Sequence, residues 1–205
     1  MELQNSSLTE FAEMLAAKKP VPGGGGASAL IGALGAALAG MVGNYTVGKQ
    51  KYADVEADVQ DILAEASELQ TKLLGLIDAD AAAFEPLSRA YAMSADDPQR
   101  AEIMEACLRD AAAVPMEILR LSCRAIELHE LLEQKGSRLM QSDVGTGVIF
   151  GWAALYGAAI NVKVNTKSMT DRAYAEAMNA EVDALVGKYW LIAEAVYEKT
   201  YKEFC

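Results

Sequence analysis

A chain of 205 residues is long enough for one domain with a substantial core, and 52% of it is hydrophobic, much of the excess being alanine. A formal net charge of −11 argues against nucleic acid and anionic membranes as partners, since both select a cationic surface. Alanine with few β-branched runs points to helix, and the apolar surplus points to a surface covered by another subunit.

Ser7-Leu8-Thr9-Glu10 reads as a capping box, opening a first helix that ends near Lys18. KKPVPGGGG breaks it with two prolines and then glycines. A second, apolar helix is predicted from about Gly25 to Val47. No residue is charged between Lys19 and Lys49, or between Asp143 and Lys163, and both gaps approach the length of a bilayer span. Their Gly and Ala content supplies little transfer free energy, and neither has strong aromatic belts at both ends. Buried helices of a soluble bundle fit better.

The third helix carries a stripe at steps of three and four: Val55, Val59, Ile62, Ala66, Leu69, Leu73, Leu76, Asp80, Phe84 and Leu87. SADDP (Ser94–Pro98) interrupts, and a fourth helix extends to about Gln134, with Pro115 expected to kink or split it. KGSR forms the next turn. A fifth helix covers roughly Ser142 to Asn165, and a sixth runs from about Thr170 towards the C-terminus. With no strand alternation, repeat or linker, residues 1–205 read as a single all-α domain, a bundle of about six helices.

Asp80 occupies a core position of the third stripe, where an uncompensated charge costs several kcal/mol and must be paired, protonated or used. Ala81–Ala83 would leave room for a ligand beside it, while Asp78 is turned away and expected to face solvent. On the fifth helix Asp143, Gly147, Phe150, Ala154, Gly157, Asn161 and Asn165 share one stripe; an N-cap is the plain reading of Asp143. Amides such as Asn161 and Asn165 in an apolar helix usually have partners. The glycines that open the second helix present free N–H groups to an anion or carbonyl, without Walker spacing and without a preceding strand. His129, the one histidine, reads as structural, and Trp152 and Trp190 as helix packing. Cys107, Cys123 and Cys205 lack metal-ligand spacing and read as reduced thiols. With no signal-peptide pattern in ELQNSSLTEF, the cytoplasm is the default location.

PVPGGGGASALIGALGAALAGMVGNYTVGKQKY resembles the opening of the formiminotetrahydrofolate cyclodeaminases, a family that includes methenyltetrahydrofolate cyclohydrolases. LIDADAAAF (76–84) and SDVGTGVIFGWAALYGAAINVKVN (142–165) are similar to two further family blocks, in the same order. Gly26 stands where many members carry serine, and Ser28 follows. The resemblance implies an all-helical subunit that dimerises through the apolar helices, with folate in a cleft near the subunit contact.

What the resemblance implies chemically is attack on the carbon bridging N5 and N10 of tetrahydrofolate, with no metal and no cofactor beyond that substrate. Cyclodeamination of 5-formiminotetrahydrofolate is placed first and cyclohydrolysis to 10-formyltetrahydrofolate second. A non-catalytic helical dimer that binds folate or a protein partner is the reading from another class. Asp80 and Asp143 are the expected catalytic acids, Asp80 ahead because no cap explains it. Gly24, Gly25, Gly26, Ser28, Asn161 and Asn165 are expected to bind substrate, with Lys49 and Lys51, and Lys163 as a third cation, for a glutamate tail that is often extended.

Overall fold

Capping chemistry sets the first boundary of the computed structural model, which describes residues 2–205. The Ser7 Oγ accepts from the Glu10 N–H while the Glu10 carboxylate accepts from the Ser7 N–H, so both sides of the box are closed at the start of α1 (Leu8–Ala16). The remaining helices are α2 (Gly24–Asn44), α3 (Glu56–Tyr91), α4 (Arg100–Lys135), α5 (Gln141–Thr166) and α6 (Arg172–Lys202). Short stretches of 3-10 helix lie at Leu3–Asn5, Gln50–Val55 and Arg138–Met140, and no strand occurs among the described residues. The six expected helices are present with shifted ends. α2 stops at Asn44 rather than Val47, and Pro115 sits inside an unbroken α4, as Pro86 does inside α3.

α2 and α5 form the centre of the bundle and run antiparallel, flanked by α3, α4 and α6. Small residues set their separation. A Cβ on Gly157 would lie 2.2 Å from the Ser28 Oγ, and one on Gly35 would lie 3.2 Å from the Gly147 carbonyl oxygen. Both helices are long and apolar enough to cross a bilayer, and here that hydropathy serves helix-to-helix packing. On α3 the core face is Val59, Ile62, Ala66, Leu69, Leu73, Ile77 and Leu87. Ile77 takes the place expected for Leu76, because a step of four from Leu73 carries it against Gly26 of α2. Asp78 is half-buried rather than solvated. Its carboxylate accepts from the N–H groups of Leu3 (2.6 Å) and Gln4 (3.2 Å), tying the N-terminal turn to α3.

His129 is fully buried, and its Nε2 lies 3.0 Å from the Gly35 carbonyl oxygen, which can only accept, so Nε2 carries the proton. Its Nδ1 has no partner. The ring occupies the space a side chain at position 147 would need, since a Cβ there would lie 2.1 Å from Cε1. The structural reading of this residue holds. Burial lowers its pKa from 6.5 to about 4. The folded state therefore refuses a proton that the unfolded chain accepts, so stability is complete above the unfolded pKa and is lost as pH falls towards about 4. Between pH 7.5 and 4.5, urea unfolding should show the wild type losing about 2–3 kcal/mol more than His129→Gln, which keeps a donor but does not titrate.

Candidate functional site

Where the N-terminus of α2 meets the C-terminal part of α5, four helices leave a cleft of about 200 Å³. Gly23, Gly24 and Gly25 form one wall. Asp80 and Phe84 come from α3, Ala111 and Pro115 from α4, and Asn161, Val164 and Asn165 from α5, while Pro20 and Val21 close one side. Asp80 is the one ionisable side chain among them.

The glycines are needed here because a carboxylate has been brought against the helix start. The Asp80 Oδ2 accepts from the Gly26 N–H at 2.9 Å, one of the donors a helix leaves unpaired in its first turn. A Cβ at Gly25 would fall 2.1 Å from Oδ1 of the same group. Asp80 is half-buried, at the edge of the cleft rather than within the packed core. Burial raises its pKa above the usual aspartate value, and the Gly26 hydrogen bond opposes part of that rise.

The two amides face the acid with their polarity set by the backbone. Asn161 Nδ2 donates to the Gly157 carbonyl at 2.7 Å. Asn165 Nδ2 donates to the carbonyls of Ala111 and Asn161, each at 2.9 Å. Carbonyl oxygens cannot donate, so both amides are oriented with their NH2 groups on the backbone; Asn165 uses both N–H donors and Asn161 one, and both side-chain oxygens are left as acceptors for N–H groups of a ligand. The cleft thus offers a carboxylate that can move a proton, two amide acceptors and apolar walls.

Other expected residues stand elsewhere. Ser28 is one turn beyond the cleft, with its hydroxyl donating to the Gly24 carbonyl at 2.7 Å, a structural use. Gly26 contributes its N–H rather than a wall. Ala81–Ala83 do not line the space; Ala111 and the glycines make the room. Asp143 lies in the first turn of α5 without a capping bond, roughly 27 Å along the helix axis from Asn161. Lys49 and Lys51 follow the far end of α2, roughly 30 Å from Gly24, with their ammonium groups over Tyr45 and Tyr52. Lys163 is paired with Asp183. Pro20, Val21, Phe84, Ala111, Pro115 and Val164 were not expected as site residues, although Phe84 lay on the α3 stripe and Pro115 was visible as an oddity. A larger cleft of about 340 Å³ between α5 and α6, with Phe150, the stacked Tyr197 and Tyr201, and Phe204 in its wall, contains no carboxylate, imidazole or ammonium group.

Residues 7–184 match the family model described as formiminotransferase-cyclodeaminase. The chain is 38% identical to a methenyltetrahydrofolate cyclohydrolase of Methylorubrum extorquens, over 95% of each chain. It is 29% identical to the formimidoyltransferase-cyclodeaminase of Mus musculus, covering 90% of this chain but 35% of that one. A crystal structure of a formiminotetrahydrofolate cyclodeaminase from Thermotoga maritima superposes with a TM-score of 0.84 at 30% identity, over 98% of this chain and 96% of the other.

The two neighbouring glycines should differ in their tolerance of substitution. Gly25→Ala drives a methyl into the Asp80 carboxylate and is expected to lower any activity of the cleft by about 100-fold, the scale of a lost acid–base group, without unfolding the protein. Gly26→Ser is expected to be neutral within a few-fold, because its Cβ would meet nothing closer than 3.7 Å. Steady-state rates compared with helical circular dichroism for the two variants check this.

Proposed function

The chain belongs to the formiminotransferase-cyclodeaminase family, and on that premise we propose that it works as a one-carbon tetrahydrofolate enzyme whose chemistry takes place in the Asp80 cleft. The observation that carries this reading is the lone carboxylate in an otherwise neutral cleft, held on the Gly26 N–H and opposite two amide acceptors. A reduced pterin presents ring N–H donors suited to Asn161 and Asn165. Its one-carbon bridge needs a proton carrier beside it and negative charge near its cationic form.

Both family reactions use the same shuttle. In cyclohydrolysis a water oxygen bonds to the methenyl carbon as ionised Asp80 takes the proton. The carbon–N5 bond then breaks as Asp80 gives that proton to N5, and the hydroxyl's remaining proton is lost through Asp80 to water as the C=O forms, giving 10-formyltetrahydrofolate. In cyclodeamination N10 bonds to the carbon of the protonated formimino group (=NH2+), which becomes an NH2 substituent, and yields its own proton to Asp80. Asp80 passes it to the departing nitrogen, whose bond to carbon breaks, and ammonia leaves behind the methenyl product. Burial of Asp80 suits both, since a raised pKa brings proton release closer to neutrality. Neither sequence of steps consumes a redox equivalent. A relative co-extensive with the chain supports cyclohydrolysis, and the family description and the Thermotoga structure support cyclodeamination.

The active form in this proposal is a cytoplasmic homodimer. Along α2 the residues Ala27, Ile31, Leu34, Leu38, Met41 and Tyr45 follow steps of three and four on the side turned away from the core, and all are partly or fully exposed. Ile160 and Val164 of α5 are 68% and 58% exposed. A second copy of the same uncharged face covers this surface without burying a charge.

Two experiments follow. With 5,10-methenyltetrahydrofolate, faster loss of methenyl absorbance identifies the cyclohydrolase; with 5-formiminotetrahydrofolate, its appearance identifies the cyclodeaminase. Asp80→Asn should lower kcat of whichever reaction occurs by about 10²–10⁴-fold, and wild-type activity should rise with pH through a pKa above the ordinary aspartate value. Folate binding with neither turnover would leave only the binding module. Separately, Ile31→Glu combined with Leu34→Glu should convert a dimer to a monomer in sedimentation velocity, since each charge would be buried unpaired at the contact.

A further inference from the structure

We propose that Pro115 is a positioning residue for Asn165: by withholding a backbone N–H from the Ala111 carbonyl, it fixes the amide that offers an acceptor to the ligand. The nature of that ligand rests on the folate reading, whereas the link between Pro115 and Asn165 does not. In an α-helix the N–H of residue 115 would close on the carbonyl of residue 111, one turn earlier. Proline has no N–H, and its ring pushes against that same carbonyl. α4 nevertheless runs unbroken through Pro115, which leaves the Ala111 oxygen without its helical partner. Pro115 is buried and Ala111 is 4% exposed, so the oxygen needs a donor from within the protein. The Asn165 Nδ2 supplies it from α5 at 2.9 Å.

Pro86 gives the contrast. It vacates the Ala82 carbonyl of α3 in the same way, but Ala82 is exposed, and no side chain donates to its carbonyl among the described residues. A vacated carbonyl at the surface is left to solvent; the buried one has taken an amide from the neighbouring helix. The two asparagines of the cleft differ accordingly. Asn161 donates only to Gly157, four residues back on its own helix. Asn165 makes the equivalent bond to the Asn161 carbonyl and spends its second N–H on α4. An amide held by both N–H groups cannot flip, so Oδ1 is its one free polar atom, and Asn165 lines the cleft together with Ala111 and Pro115. This fixed acceptor favours a ligand edge that carries N–H, because an edge of acceptors alone would leave Oδ1 unpaired. An N–H at position 115 would draw the Ala111 oxygen back to the helix axis, and Asn165 would have to share it.

The chain has five asparagines, so labelling with [15N]asparagine resolves the Asn165 NH2 group in the ligand-free protein, identified by its loss in Asn165→Ala. Pro115→Val restores the N–H and keeps most of the ring's volume. Pro115→Ala carries the same expectations where the branched side chain impairs folding, as judged by circular dichroism. In either variant the proton directed at Ala111 should move upfield and exchange at least tenfold faster, and Pro86→Ala should leave it unmoved. Calorimetry with 5-formyltetrahydrofolate, and kinetics with whichever one-carbon folate is turned over, give the functional readout. Kd and KM should rise about tenfold in the Pro115 variants, with a smaller effect on kcat because Asp80 keeps its Gly26 bond. Adding Asn165→Ala to Pro115→Val should cost no more than Asn165→Ala alone, whereas a proline that merely filled the wall would add its own loss. Losses that multiply in the double variant, Asn165 protons unmoved by Pro115→Val and Pro115→Ala, or an equal release in Pro86→Ala each overturn the proposal. Release of Asn165 by the Pro115 variants of a protein that neither binds nor turns over folate overturns the folate reading and leaves the positioning role standing.

Discussion

The cleft depends on how closely other groups can approach the first turn of α2. A carboxylate can accept from the Gly26 N–H only because position 25 has no Cβ, which would otherwise sit 2.1 Å from it. The same absence of side chains lets α5 pass beside α2, with Gly157 against Ser28 and Gly35 against the Gly147 backbone. Were these positions alanine, the two central helices would separate, and Asn161 would no longer stand across from Asp80. Small residues thus set the distance between acid and amides, and through it the width of the cleft.

Within that frame the electrostatics are simple. One ionisable group is enclosed by apolar walls, and its hydrogen bond comes from a helix start whose dipole favours negative charge. Desolvation and the N–H bond act in opposite directions on its proton affinity, and desolvation is the larger effect. That balance is what a proton shuttle near an amidine-like carbon requires. His129, a fully buried titratable group at the centre, is held neutral by the same loss of water, but it is sealed between Gly35 and Gly147.

The position of the charges along the bundle gives the molecule two distinct ends. Asp80, Asn161 and Asn165 gather at one. Asp143, Lys49 and Lys51 lie at the other, separated by the length of the central helices. A single helix stripe contained both Asp143 and Asn161, and on sequence they looked like one site. Sharing a face of a helix does not bring residues together when five turns lie between them.

Much of this was legible in residue order. The capping box, the proline-glycine break, the α3 stripe and the two uncharged helices specify an all-α bundle through local hydrogen bonding and a 3.6-residue period. The same period singled out Asp80, because a carboxylate interrupted an apolar series. Periodicity on one helix carries no information about the neighbour it faces, so it chose Leu76 over Ile77 and left Asp78 in solvent. By itself, then, the sequence determined the helices, the family blocks and the odd acid. Which chain segments wall that acid, and that Pro20, Ala111 and Pro115 belong to the site, were decided only when four helices packed. Those contacts join residues far apart in the chain, and close approach is a property of pairs of surfaces.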